Sequence, residues 1–187
     1  SEYTLPTSGS QKLIAVFEEI TKEEMLAEGI TPIRINEVSA ANSMYINDYF
    51  KKNDWIELHN TTAEDIDIAG MYISDNADKP QKYQVPSDNT ALNTIIPANG
   101  FKVIWCDKLD NIGADIHTSF KLAAEGGDVL ITTEDYADTL TYAPHSGTQT
   151  FGRYPDGAND TYVMNAPTIA KSNMICSYDT VFRSEER

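Results

Sequence analysis

The chain has 187 residues, 41% of them hydrophobic, with ten Tyr, six Phe and two Trp, enough for one folded domain with its own core and unlike the profile of a disordered chain. Asp and Glu outnumber Lys and Arg by 29 to 14, a formal net charge of -15. Such a surface repels phosphate backbones and anionic bilayers, so nucleic acid is not an expected partner. No apolar run exceeds "LIAVF" at 13–17, far short of the roughly 20 residues a spanning helix needs.

The N-terminal stretch reads differently from the remainder. "QKLIAVFEEI" (11–20) suits one strand, and "TKEEMLAEG" (21–29) carries a capping box, with Thr21 as N-cap, Glu24 at the third helical position and Gly29 as the stop. One strand and a helical turn cannot make a core. Residues 1–29 are therefore expected to be an N-terminal extension or the end of a preceding domain. The chain starts at Ser1 without a basic n-region or an apolar h-region, so any secretory leader is expected to have been removed or to lie outside this sequence.

From Ile33 the signals are nearly all β. "IRINEV" (33–38), "DWIELHN" (54–60), "DIDIAGMYISD" (65–75), "KYQVP" (82–86), "TIIP" (94–97) and "FKVIWC" (101–106) are short and rich in β-branched and aromatic residues. Asn, Asp, Gly or Pro closes each of them. The insert "SMYINDYFKKN" (43–53) reads as a surface loop with a little helix.

"HTSFKLAAEGGDVLI" (117–131) contains a glycine pair that could suggest a phosphate loop. Such a loop needs a helix after its glycines, whereas Val129, Leu130 and Ile131 favour a strand. The segment therefore reads as a hairpin, with "AAEGG" as its connection and a glycine at positive φ. "DTLTY" (138–142) and "QTFGRYPDG" (149–157) add strand and turn material. Many short strands without long helices between them imply an antiparallel sandwich or barrel.

Reactive constellations are sparse. His59, His117 and His145 are far apart in sequence and show no metal-ligand spacing; no GxSxG elbow is present. Cys106 and Cys176 are too few for a disulfide framework and too distant for a CxxC site; the expectation is two separate thiols, with Cys106 buried in a strand, and a single disulfide in a secreted protein is the alternative. Glu57 sits inside the strand "WIELHN", where a carboxyl with a raised pKa could act as a general acid in a hydrolase of glycans or phosphoesters. The blander reading puts Glu57 on the solvent face or capping N–H groups of a neighbouring loop, because Ile56 and Leu58 supply the core face. Calcium is the inorganic candidate, through "DNAD" (75–78, with Asp75 and Asp78) and "PDGAND" (155–160), although neither follows a twelve-residue calcium loop and ordinary turns use the same residues. Asn60 and Asn159 head N-glycosylation sequons.

Taken in order, "INEVSAAN", "DWIELHN", "IDIAGMYISD", "IPANGFKVIW", "HTSFKLAAEGGDVLI", "FGRYPDG" and "NAPTIAKSN" resemble the lamin tail domain, over about 33–173. That resemblance implies an immunoglobulin-like antiparallel β-sandwich. It makes Trp55, Ile56, Leu58, Ile104, Trp105, Phe120, Leu122 and Phe151 core or near-core residues, and Gly126, Gly127, Gly152 and Gly157 turn glycines. It carries no catalytic residue. Where the family ends in Pro-Thr-Pro-Gly, this chain places Ile169 and Ala170 in the last two positions, so the closing turn is expected to differ. With no preceding heptads, no basic targeting run and an acidic surface, the bacterial secreted branch fits better than the nuclear one. In that branch the domain accompanies hydrolases, nucleases and spore-coat-H-like kinases.

The expectation is an all-β, immunoglobulin-like sandwich over 30–175, with an N-terminal strand and helix extension over 1–29 and a C-terminal tail or linker over 176–187. Its expected role is a non-enzymatic binding or spacer module of an exported, cell-surface bacterial protein, with neighbouring domains and a protein or glycan as partners. No catalytic, cofactor-binding or metal residue is assigned. A calcium-dependent adhesion module, or the accessory domain of a secreted enzyme, is the alternative.

Overall fold

A computed structural model describes residues 21–27, 30–109 and 114–175. The short helix α1 (Lys22–Ala27) starts on the expected capping box: the Thr21 N–H donates to Glu24 Oε2 at 2.9 Å, and the Glu24 N–H returns to Thr21 Oγ1. The strand foreseen at 11–20 and the stop at Gly29 lie outside the described residues.

Twelve strands follow: β1 (Ile33–Ser39), β2 (Asp54–Asn60), β3 (Ile66–Asp67), β4 (Tyr72–Ser74), β5 (Tyr83–Gln84), β6 (Ile95–Ile96), β7 (Phe101–Cys106), β8 (His117–Thr118), β9 (Gly127–Thr132), β10 (Ala137–Tyr142), β11 (Thr150–Arg153) and β12 (Thr161–Met164). One sheet runs β12-β11-β1-β2-β7-β8 and the other β10-β9-β4-β5, with β3 and β6 as a separate pair. All named pairings are antiparallel except the short β7–β8 contact. Ile35, Val38, Ile56, Leu58 and Ile104 of the first sheet face Ile73, Val129, Ile131 and Leu140 of the second in one core. Each such side chain contributes about 1.5–3 kcal/mol on burial.

The stretch 117–131 is not a hairpin. β8 pairs with β7 in the six-stranded sheet, whereas β9 pairs with β4 and β10 in the other. Residues 119–126 therefore cross between the layers, and Phe120 and Leu122 are buried on the way. Gly126 takes φ 96°, as expected of a turn glycine. The true hairpin is the next one, β9 to β10.

Gly152 is likewise no turn glycine. It lies within β11, where a Cβ would stand 2.6 Å from the Asn36 carbonyl oxygen. Residues 43–53 contain no helix; Asn42 and Asn47 instead hold them as a loop by accepting the N–H groups of Met44, Tyr45, Tyr49 and Lys51.

A bulge in β1, between Ile35 and Glu37, gives the middle of the sheet a polar use. The Ile35 N–H donates to Asp138 Oδ2 of β10 at 2.8 Å, linking the two sheets. Arg153 donates to Asp138 Oδ1 and to the carbonyls of Ile35, Ala158 and Thr139, while Arg34 Nε lies 2.9 Å from Asp138 Oδ1. Asp138 and Arg153 are both buried. They form a charged, hydrogen-bonded staple at one margin of the core.

Candidate functional site

Strand alternation divides the six-stranded sheet into two faces. Ile56 and Ile104 pair across β2 and β7 and point into the core. Their neighbours Trp55, Glu57, His59, Phe101, Val103 and Trp105 therefore occupy the outer face, joined by Glu37 and Ser39, the register partners of Glu57 and Trp55. The eight residues expected to be core or near-core are all buried. Trp55 and Trp105, however, are buried on this outer face, paired with each other across β2 and β7.

Two segments reach this face: the loop 41–53 between β1 and β2, whose Tyr45 and Ile46 line a groove with Trp105, and the strap 165–173 after β12, whose Ala170 bonds Glu57. Between them is a groove of about 280 Å³ walled chiefly by Tyr45, Ile46, Phe101, Val103, Trp105 and Ile169. The loop also holds Met44 at 53%, Ile46 at 53% and Phe50 at 81% exposure. Phe50 adopts φ 59°, a left-handed backbone that bulky residues rarely take and that persists where the surroundings enforce it.

Those surroundings include a histidine that sequence spacing did not single out. His117 Nδ1 lies 2.8 Å from Asp107 Oδ2 and its Nε2 lies 2.9 Å from Asp48 Oδ1. Asp107 Oδ2 also accepts from Asn47 and Asn53, and Asp48 Oδ2 from the Ala114 N–H. Tyr49 packs edge-on to the imidazole at 5.5 Å. The cluster ties the apolar loop to β7 and β8. Separations of 69 residues between Asp48 and His117 and 10 between Asp107 and His117 gave no local spacing to detect.

Glu57 is buried and does cap a loop, accepting the Ala170 N–H at 2.6 Å on Oε2. The solvent-face reading is corrected: the face is right, but the strap covers it. Burial pushes the Glu57 carboxyl up to about 8, with the Ala170 hydrogen bond opposing and Glu37 and Asp156 adding to the rise. Burial likewise raises Glu37, which accepts the hydroxyls of Thr150 and Thr168 and the Thr168 N–H. Both buried carboxyls accept hydrogen bonds from the strap, and Glu37 from Thr150 of β11 as well, unlike a glycosidase pair flanking a substrate.

The turns suggested for calcium are internally engaged. Asp75 pairs with Lys82 at 2.5 Å, and Asn76 Oδ1 accepts the Asp78 N–H. In the second, Asp156 Oδ1 accepts from Asn36 and from the Asn173 N–H, and Asn159 accepts from Arg34. Among the described residues no group of three or more His, Cys, Asp or Glu side chains is placed to hold a metal ion. Asn60 is fully buried and donates to the carbonyls of Glu64, Ile96 and Pro97, so its sequon is closed to glycosylation in the folded chain; Asn159 is exposed. His59 stacks on Phe101 at 4.6 Å and is held low by burial, and His145 Nε2 accepts the Ala40 N–H while its Nδ1 donates to the Ala143 carbonyl. Cys106 is buried in β7, and burial pushes its thiol up. Cys176 lies outside the described residues.

Two packed, mainly antiparallel sheets around one core define an immunoglobulin-like β-sandwich. A match to the family described as Lamin Tail Domain extends over residues 30–164, and the chain belongs to that family. No curated protein and no solved structure is significantly similar to it.

Proposed function

We propose that this domain is a non-catalytic attachment or spacer module of an exported, multidomain bacterial surface protein, and that it engages a protein or glycan through the outer face of its six-stranded sheet. The observation that carries this reading is the groove beside Tyr45, Ile46 and Trp105, with Phe50 held open on an adjoining, well-anchored loop. A soluble acidic domain gains nothing in stability from an aromatic ring left in water. Exposed apolar clusters rimmed by polar residues mark interaction surfaces, and aromatic walls suit both peptide side chains and sugar rings.

The proposal is tested by screening the domain against purified bacterial surface polysaccharides and peptides, in parallel with Phe50→Ser and Ile46→Ser. Ligands retained by the wild type should be lost or weakened with both variants while the melting temperature stays unchanged. Equal binding by the variants would move the site elsewhere, and turnover of any bound glycan would replace the reading with a catalytic one.

A further inference from the structure

The outer face carries a second feature that ligand binding alone does not require. Glu37 and Glu57 are cross-strand partners on β1 and β2, both without solvent exposure. Adjacent like charges on a sheet are unfavourable even at a surface, and here they are covered. The strap reaches this pair through residues 168 and 170: Thr168 donates its N–H and hydroxyl to Glu37, and Ala170 donates its N–H to Glu57 Oε2. Between those two anchors is Ile169, a wall of the groove. Glu57 Oε1 is buried, and beside the Ala170 amide the carboxyl meets the neutral side-chain amide of Asn36 and no charged donor, a setting that a neutral carboxylic acid tolerates better than a carboxylate, whose desolvation is far more costly.

The groups packed about Glu57 offer no compensating cation. Glu37 on β1 and Asp156 in the β11–β12 connection both act on it with like charge. Its β7 partner is Val103, and the strap presents a backbone amide. His59, next on the same face of β2, is disfavoured as a cation by its own burial.

We infer that the strap 165–173 is a proton-dependent latch, closed over a protonated Glu57 and loosened when that carboxyl ionises, so that the position of Ile169 follows pH. The consequence for the groove rests on the binding role proposed above; the latch itself does not. A carboxyl raised from 4.5 to about 8 in the closed state keeps its proton there and gives it up more readily when the strap is open. Strap closure is therefore strongest in acid and is lost as pH rises from the ordinary carboxyl range through about 8. Above that value the effect levels off.

The test is amide hydrogen exchange resolved by residue, corrected for the base-catalysed intrinsic rate, on the whole chain with no ligand present. Protection of the Thr168 and Ala170 amides should fall by roughly tenfold per pH unit across that window, while Ile104 and Val129 in the core hold theirs. In Glu57→Gln, protection of the Ala170 amide should no longer fall across that window, and any pH dependence left at Thr168 belongs to Glu37. Carbon-13 titration of Glu57 in the wild type keeps the inference falsifiable if that variant does not fold: the shift of its carboxyl must track the loss of strap protection. A Glu57 that titrates in the ordinary carboxyl range, or strap protection that stays constant while Glu57 ionises, overturns the latch. Neither result depends on whether the groove binds anything.

Discussion

Replacing Ala170 with glycine should stabilise the domain. Ala170 has φ 56°, a conformation that costs an L-residue about 1–2 kcal/mol and glycine almost nothing. Its methyl group is exposed, so little packing is lost with it, and the N–H that donates to Glu57 Oε2 at 2.6 Å is kept. Against the gain stands the greater freedom of glycine in the unfolded chain, about 0.4–1 kcal/mol. The balance is about 0.5–1 kcal/mol in favour of Ala170→Gly, which for a domain of this size raises the melting temperature by roughly 1–4 °C. Urea denaturation gives the free energy and calorimetry the temperature. Ala170→Val is the control: a β-branched residue in the left-handed region should destabilise. If Ala170→Gly melts at or below the wild type and Ala170→Val is tolerated, the strap does not hold residue 170 in the left-handed region and its anchoring on Glu57 is wrong.

Other perturbations probe the scaffold. Asp138→Ala leaves Arg153 and Arg34 facing each other without their shared carboxylate and should cost about 3–5 kcal/mol in urea denaturation; adding Arg153→Met should recover part of the loss. Gly152→Ala drives a methyl to 2.6 Å from the Asn36 carbonyl oxygen and should cost about 1–3 kcal/mol, with a lower urea midpoint as the readout. Because Asp75 and Asp156 are already engaged by Lys82, Asn36 and the Asn173 N–H, millimolar calcium and chelator should leave the melting temperature unchanged. A rise with calcium would restore the adhesion-module alternative.

The fold was legible where one strand carries its own signal. The alternation in "DWIELHN" assigned Ile56 and Leu58 to the core correctly, and the Thr21–Glu24 capping box formed as spaced. Segments whose meaning depends on a distant partner were misread. "SFKLAAEGGDVLI" has the local pattern of a hairpin, but Phe120 and Leu122 gain more by dropping into the core between the sheets than by pairing with β9. Gly152 serves close approach to Asn36, a long-range demand no turn rule describes.

The site was less legible still, because its parts come from opposite ends of the chain. Alternation put Glu57 on the outer face, yet nothing near it in sequence announces that residues 165–173 will cover that face 113 residues later. The departure at Ala170 was visible against the family pattern. Its consequence is a strained residue in a glycine-type turn, which only the backbone angle reveals. The Asp48–His117–Asp107 cluster joins a loop to two strands and has no sequence signature.

The central claim is that recognition occurs on the outer face of the six-stranded sheet. Chemical-shift mapping with the tightest polysaccharide fragment or peptide from the screen tests it most directly. The largest perturbations should fall on Tyr45, Ile46, Phe101, Trp105 and Ile169. Perturbations centred on β9 and β10, with those five unmoved, would contradict it.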